Sequence, residues 1–105
     1  MKMIRFQTFV IACAIGWSLP AATAQAAVDK HARNLTASCA ACHGTDGHSV
    51  EGTAVLAGMD KKLFVATMKD FKSGARPATV MHHHAKGYSD EEYEKMAAYF
   101  AAQER

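Results

Sequence analysis

Apolar and polar positions divide the chain into stretches of different character. Residues 9–17, Phe9-Val10-Ile11-Ala12-Cys13-Ala14-Ile15-Gly16-Trp17, are continuously apolar or small. From Val28 to Ala41, apolar or small residues recur at Val28, Ala32, Leu35 and Cys39, the spacing of one helical face. Asp29 is placed to cap that helix or to supply its first-turn acid. Between Gly44 and Asp60 the periodicity stops. Gly44, Gly47, Gly52 and Gly58 alternate there with Thr45, Asp46, Ser49 and Thr53, which is turn chemistry. A loop this long, with no element of its own, usually wraps or serves a site. Helical spacing returns over Lys61–Ser73: Leu63, Phe64, Thr67, Met68 and Phe71 form an apolar stripe opposite Lys62, Lys69, Asp70 and Lys72. Gly74 is the expected C-cap. A loop with Arg76-Pro77 runs to Met81, and His82 to Gly87 reads as a short turn or helix stopped by Gly87. Ser89-Asp90-Glu91-Glu92 fits a capping box, after which Tyr93, Met96, Ala97 and Phe100 recur at helical spacing. No period-two alternation, internal repeat or low-complexity tract is present. The pattern predicts an all-α protein of about three to four short helices.

The apolar run at residues 9–17 follows Lys2 and Arg5 and precedes small residues ending in Ala24-Gln25-Ala26, an A-x-A cleavage pattern. It is too short and wrongly flanked for a transmembrane span. Residues 1–26 are therefore expected to be a signal peptide removed on export to the periplasm. Residues 27–105 would form a single domain without a membrane span. A retained amphipathic anchor is the alternative. Val10-Ile11-Ala12-Cys13 loosely resembles a lipoprotein box, but the apolar stretch before it is short and an ordinary cleavage site follows, so lipid anchoring through Cys13 is not expected.

Charge adds little. Without Lys2 and Arg5, ten basic residues face ten acidic ones. No concentrated basic face suggests nucleic-acid binding, and any partner must be met by local patches. A domain this small usually needs a staple beyond its own core.

Cys39-Ala40-Ala41-Cys42-His43 supplies the chemistry for one. C-x-x-C-H marks covalent attachment of a c-type haem. Two thiols three residues apart on a helical turn can each add to a haem vinyl group, and the next imidazole can take the proximal axial position on iron. A thioredoxin-like redox pair would need a βαβ context, which is missing. A zinc site would need a second ligand pair; the run His82-His83-His84 keeps that alternative open, as a non-haem metal module. The expected cofactor is one covalent haem c, with Cys39 and Cys42 as the thioether residues and His43 as the proximal ligand. Val55, Leu56 and Met59 are expected to contact the ring.

A low-spin electron carrier fills both axial positions, whereas an open position suggests an enzyme or gas sensor. The methionine candidates are Met59, Met68, Met81 and Met96. Met96 and Met68 lie on amphipathic helix faces, and Met59 reads as an edge contact. Met81 lies between helices, after a proline that stiffens the approach, and far enough from His43 to return on the distal side. It is the leading distal ligand, with His82, His83 and His84 as competitors. His31 and His48 read as surface residues. No constellation of general acid, base and nucleophile is present, so no catalytic residue is assigned and an electron carrier, not an enzyme, is expected.

Cys39-Ala40-Ala41-Cys42-His43-Gly44-Thr45-Asp46-Gly47 resembles the small bacterial class I cytochromes c. Met68-Lys69-Asp70-Phe71-Lys72-Ser73-Gly74, Ala78-Thr79-Val80-Met81, Ala85-Lys86-Gly87-Tyr88-Ser89 and Lys95-Met96-Ala97-Ala98-Tyr99-Phe100 are similar to the haem domain of the cytochrome subunit of flavocytochrome c sulfide dehydrogenase. The resemblance implies a class I cytochrome c fold, Met81 as distal ligand, and terminal helices crossing through Leu35 and Tyr99 or Phe100. It also implies a periplasmic flavoprotein partner that oxidises sulfide and passes electrons to the haem. A free-standing shuttle serving another periplasmic redox protein, in a respiratory or photosynthetic chain, fits as well. Two departures stand out. Gly44 to Asp60 lacks the proline whose carbonyl region orients the proximal histidine in many class I cytochromes, and the subunit family often has two haem domains where one is expected here.

Overall fold

Asp29 caps the first described helix: its carboxylate accepts from the backbone N–H of His31 at 2.9 Å, satisfying one of the free donors at a helix start. The computed structural model describes residues 29–50 and 52–105; the expected signal peptide and Cys13 lie outside the described residues. Helix α1 spans Lys30–Thr36. It does not run on unbroken to residue 41 as its periodicity predicts. The chain tightens into a 3-10 turn over Ala37–Cys39 before α2, Ala40–His43. Side-chain hydroxyls share the carbonyls at this junction. Thr36 donates to the Arg33 carbonyl at 3.0 Å, and Tyr88 donates to that of Leu35 at 3.4 Å.

Helix α3 spans Lys61–Ser73, as its pattern predicts. Asp60 caps it by accepting from the Leu63 N–H at 3.0 Å, and Gly74 ends it in the left-handed conformation. Helix α4 is Met81–Lys86 and begins one residue earlier than its sequence suggests, because the Val80 carbonyl accepts from the N–H groups of both His83 and His84. Met81 thus occupies the first turn of a helix, not an open loop. Helix α5 is Asp90–Ala101, with the complete Ser89–Glu92 capping box at its start. Asp90, Glu91 and Glu92 place negative charge at the positive end of its dipole. Among the described residues every regular element is helical, in four helical segments once α1 and α2 are taken together.

The core forms where α5 packs against α3 and α1, and α4 packs against α3. It joins Phe64, Val65 and Met68 of α3, Ala85 of α4, and Tyr93, Met96, Ala97 and Phe100 of α5, with Leu56 from the loop. The rings of Phe64 and Phe100 tilt against each other with centroids 5.5 Å apart. Burial of each large side chain stabilises by about 1.5–3 kcal/mol. The α5 stripe is buried as its spacing predicts. On α3 Phe64 and Met68 are buried as predicted, but the buried face turns towards Val65, which is 8% exposed, and away from Leu63, which is 55% exposed. The partners on α4 and α5 set that rotation; the helix's own periodicity accommodates either. The crossing of α1 and α5 brings Leu35 and Tyr99 onto the edge of this core.

Polar contacts fix the helices in register. The Tyr93 hydroxyl donates to the Ala85 carbonyl. Lys72 donates to the Tyr88 carbonyl at 2.9 Å, and Lys69 and Lys72 approach Asp90 at 3.2 and 3.6 Å, tying α3 to the start of α5.

Candidate haem site

Cys39, Cys42 and His43 share one tight helical segment. Cys39 ends the 3-10 turn and caps α2, and Cys42 and His43 close α2 itself. Cys42 is exposed and His43 half-buried. Cys39 is half-buried, and its thiol is pushed above the ordinary range by burial. The helix stops at once, because Gly44 takes a positive φ of 77°. A side chain there would collide with the backbone of His48.

The turn sends the chain into the glycine-rich loop, whose ends are pinned together. The Gly47 carbonyl accepts from the N–H groups of Leu56 at 2.9 Å and Ala57 at 3.2 Å, and the Gly58 N–H donates to the Phe100 carbonyl at 2.8 Å. Closure places the Ala54 carbonyl 2.7 Å from Nδ1 of His43. A carbonyl only accepts, so Nδ1 carries the proton and the lone pair on Nε2 is left free. That is the tautomer a metal-binding histidine needs, with a second hydrogen bond fixing the ring. The expected proline is missing, yet its service is not: Ala54 provides the carbonyl. Nothing in the sequence singled out Ala54, since every residue carries a carbonyl.

The distal candidates separate by burial. Met96 is 0% exposed and Met68 5% exposed, both enclosed by the helix core. Met59 and Met81 are half-buried at the edge of that core. His82 is half-buried and stacks on His83 with ring centroids 3.9 Å apart; His83 and His84 are exposed. His48 has a carbonyl beside each ring nitrogen, that of Thr45 at 3.0 Å and that of Glu104 at 2.6 Å, and a neutral ring donates to one of them. His31 is exposed. Among the described residues no three His, Cys, Asp or Glu side chains gather as a metal-binding group, so the His82–His84 run does not assemble a zinc-type ligand set.

Exposed apolar residues neighbour the acceptor of the His43 bond and the distal candidate in the chain. Val55 follows Ala54 and Val80 precedes Met81, and both are exposed. One exposed and one half-buried thiol, a pre-set imidazole, and uncovered apolar side chains next in the chain to Ala54 and Met81 fit a flat, apolar, vinyl-bearing iron porphyrin. Leu56 is buried in the helix core. Among the described residues no helix is long and apolar enough to cross a membrane.

No family model matches the chain. It is 46% identical over 66 residues to the cytochrome subunit of sulfide dehydrogenase of Chlorobaculum tepidum, a match covering 63% of this chain and 60% of that protein. It is 42% identical over 62 residues to the thiosulfate dehydrogenase electron acceptor of Stutzerimonas stutzeri, covering 57% of this chain and 29% of that protein. The chain therefore spans less than two thirds of the length of these two relatives. Cytochrome c-554(548) of Halomonas halodenitrificans is 36% identical over 70 residues, covering 63% of this chain and 84% of that protein. With the C-x-x-C-H segment, the locked imidazole and the small helical fold, these similarities establish that the chain belongs to the cytochrome c family and that its cofactor is covalently bound haem c.

Proposed function

We propose that the chain is a periplasmic electron carrier for one haem, taking electrons from a sulfide-oxidising flavoprotein of the flavocytochrome c type. Cys39 and Cys42 supply the thioether sulfurs, and His43 and Met81 the axial ligands. The observation that carries the reading is the bond from His43 Nδ1 to the Ala54 carbonyl, which presents Nε2 as a ready ligand. When bound, the haem supplies an iron that alternates between ferrous and ferric. The protein's task is to hold that change to a small rearrangement. His43 is held by the Ala54 carbonyl on a loop closed at Gly47, and Met81 by the first turn of α4. A thioether favours the ferrous state over what a second histidine would give, so a Met81 ligand sets a higher potential.

The 46% identity to a sulfide dehydrogenase cytochrome subunit supports the flavoprotein as partner. A free-standing shuttle is the second reading, supported by the match along 84% of cytochrome c-554(548). Two experiments test these points. Ferric protein should show the weak far-red charge-transfer band of sulfur-to-iron ligation, and Met81→Ala should abolish it. A wild-type spectrum without that band would move the assignment to His82–His84 or to an open site. Co-purification with a flavoprotein, and reduction of the haem by sulfide only when that flavoprotein is present, would support the subunit reading. Unaided exchange with other redox proteins would favour the shuttle.

A further inference from the structure

The far end of the chain reaches back to the proximal ligand. Asp46 lies three residues after His43 and is the one non-glycine residue with positive φ (52°) among those described. Aspartate visits this conformation more readily than most residues but holds it only when its side chain is engaged. Here the Tyr99 hydroxyl, on α5, donates to Asp46 Oδ1 at 2.5 Å. The neighbouring residues repeat the anchorage: Phe100 of α5 packs on Gly47, where any added side-chain carbon would sit 3.0 Å from its ring. Gly47 in turn holds Leu56 and Ala57 through its carbonyl. One stretch of α5 therefore holds the turn that follows the donor, His43, and the chain that follows the acceptor, Ala54. Arg33 and Thr36 of α1 share a small cavity with Asp46 and Tyr99, so the contact joins three segments.

We infer that Tyr99 is a positioning residue for the proximal histidine: through Asp46 it holds the 45–47 turn so that the His43 Nδ1–H to Ala54 bond stays short. The inference rests on His43 being the axial ligand. Hydrogen bonding at Nδ1 makes an imidazole a stronger donor to a metal, so releasing the latch weakens that donation and raises the potential.

The test uses intact haem-loaded protein with nitrogen-15 in its histidines. Ligation itself is read first: in ferric wild type the His43 ring must be hyperfine-shifted, and absence of that shift would refute the axial assignment and with it this inference. In Tyr99→Phe, exchange of the His43 Nδ1 proton should then run about tenfold faster, as expected for loss of one charge-assisted hydrogen bond, with a higher midpoint potential. Asp46→Asn keeps an acceptor and tolerates the left-handed conformation, and should stay near wild type. Tyr88→Phe is the control, because the Tyr88 hydroxyl bonds to Ser38 and Leu35 and not to the 45–47 turn. Exchange and potential in Tyr99→Phe within about twofold of wild type, or an equal effect in Tyr88→Phe, would overturn the inference.

Discussion

Two glycines with nearly the same backbone angle do different work. Gly47 (φ 83°) is buried, and a methyl group there would meet the Ala57 nitrogen and Leu56 Cβ at 2.8 Å; Gly74 (φ 82°) has nothing within 4 Å. Gly74→Ala should therefore cost only the left-handed strain, about 1 kcal/mol. Gly47→Ala should cost about 3 kcal/mol or more, because backbone and core must both give way. It should also disturb the haem spectrum by displacing Ala54. Denaturant titration with a parallel optical spectrum separates the two. At the same scale, the Asp46 hydrogen bond, then burial, push the Tyr99 hydroxyl above the usual tyrosine range. A raised folded-state pKa means the stabilisation is complete below about pH 10 and is lost as pH rises through the folded value. The melting temperatures of wild type and Tyr99→Phe should differ at pH 7 and converge in alkali.

At the scale of elements, the caps stand out as independent devices. Ser89 accepts from the Glu92 N–H at 3.2 Å while the Glu92 carboxylate accepts from the Ser89 N–H at 2.7 Å. Ser89→Ala should cost about 1 kcal/mol in denaturant titration and leave the haem spectrum unchanged, since α5 is otherwise held by Tyr93, Met96 and Phe100. One residue on, the hydrogen bond from Lys69 holds the Asp90 carboxyl below its usual range, with Lys72 adding to it. A depressed folded-state pKa gives stability that is present above about pH 4 and lost as pH falls through the folded value. The gap in melting temperature between wild type and Asp90→Asn should therefore close in acid, and it should shrink in high salt because the groups are exposed. These signals were legible beforehand because a cap is written within four residues. The rotation of the α3 stripe was not: Leu63 and Val65 both satisfy the helical period, and only the packing of α4 and α5 chose Val65.

For the whole molecule, the helix core is small, drawn mainly from α3 and α5. Domains of this size are marginal unless something else ties the segments together. Covalently bound haem c supplies such a tie as a large apolar plate around which short helices can pack. A Cys39→Ser/Cys42→Ser variant, unable to attach haem, should lose most of its helical circular dichroism at 25 °C and its cooperative melt. Retention of a cooperative transition would show that the protein core alone suffices. Near-neutral charge outside the first residues leaves partner selection to local patches and not to net charge.

What the sequence determined by itself was local chemistry. C-x-x-C-H dictates thioether attachment and the adjacent imidazole, and Asp29, Ser89–Glu92 and Gly74 dictate where helices start and stop, because each signal acts over a few residues of one strand of chain. The tertiary structure decided the rest. It enclosed Met68 and Met96 and left Met81 at an edge, chose which face of α3 is buried, and brought Ala54 to His43 and Tyr99 to Asp46. Those pairings depend on loop closure and helix crossing over distances of 11 and 53 residues. A backbone carbonyl has no residue-type signature, so only the folded chain could say which one holds the histidine.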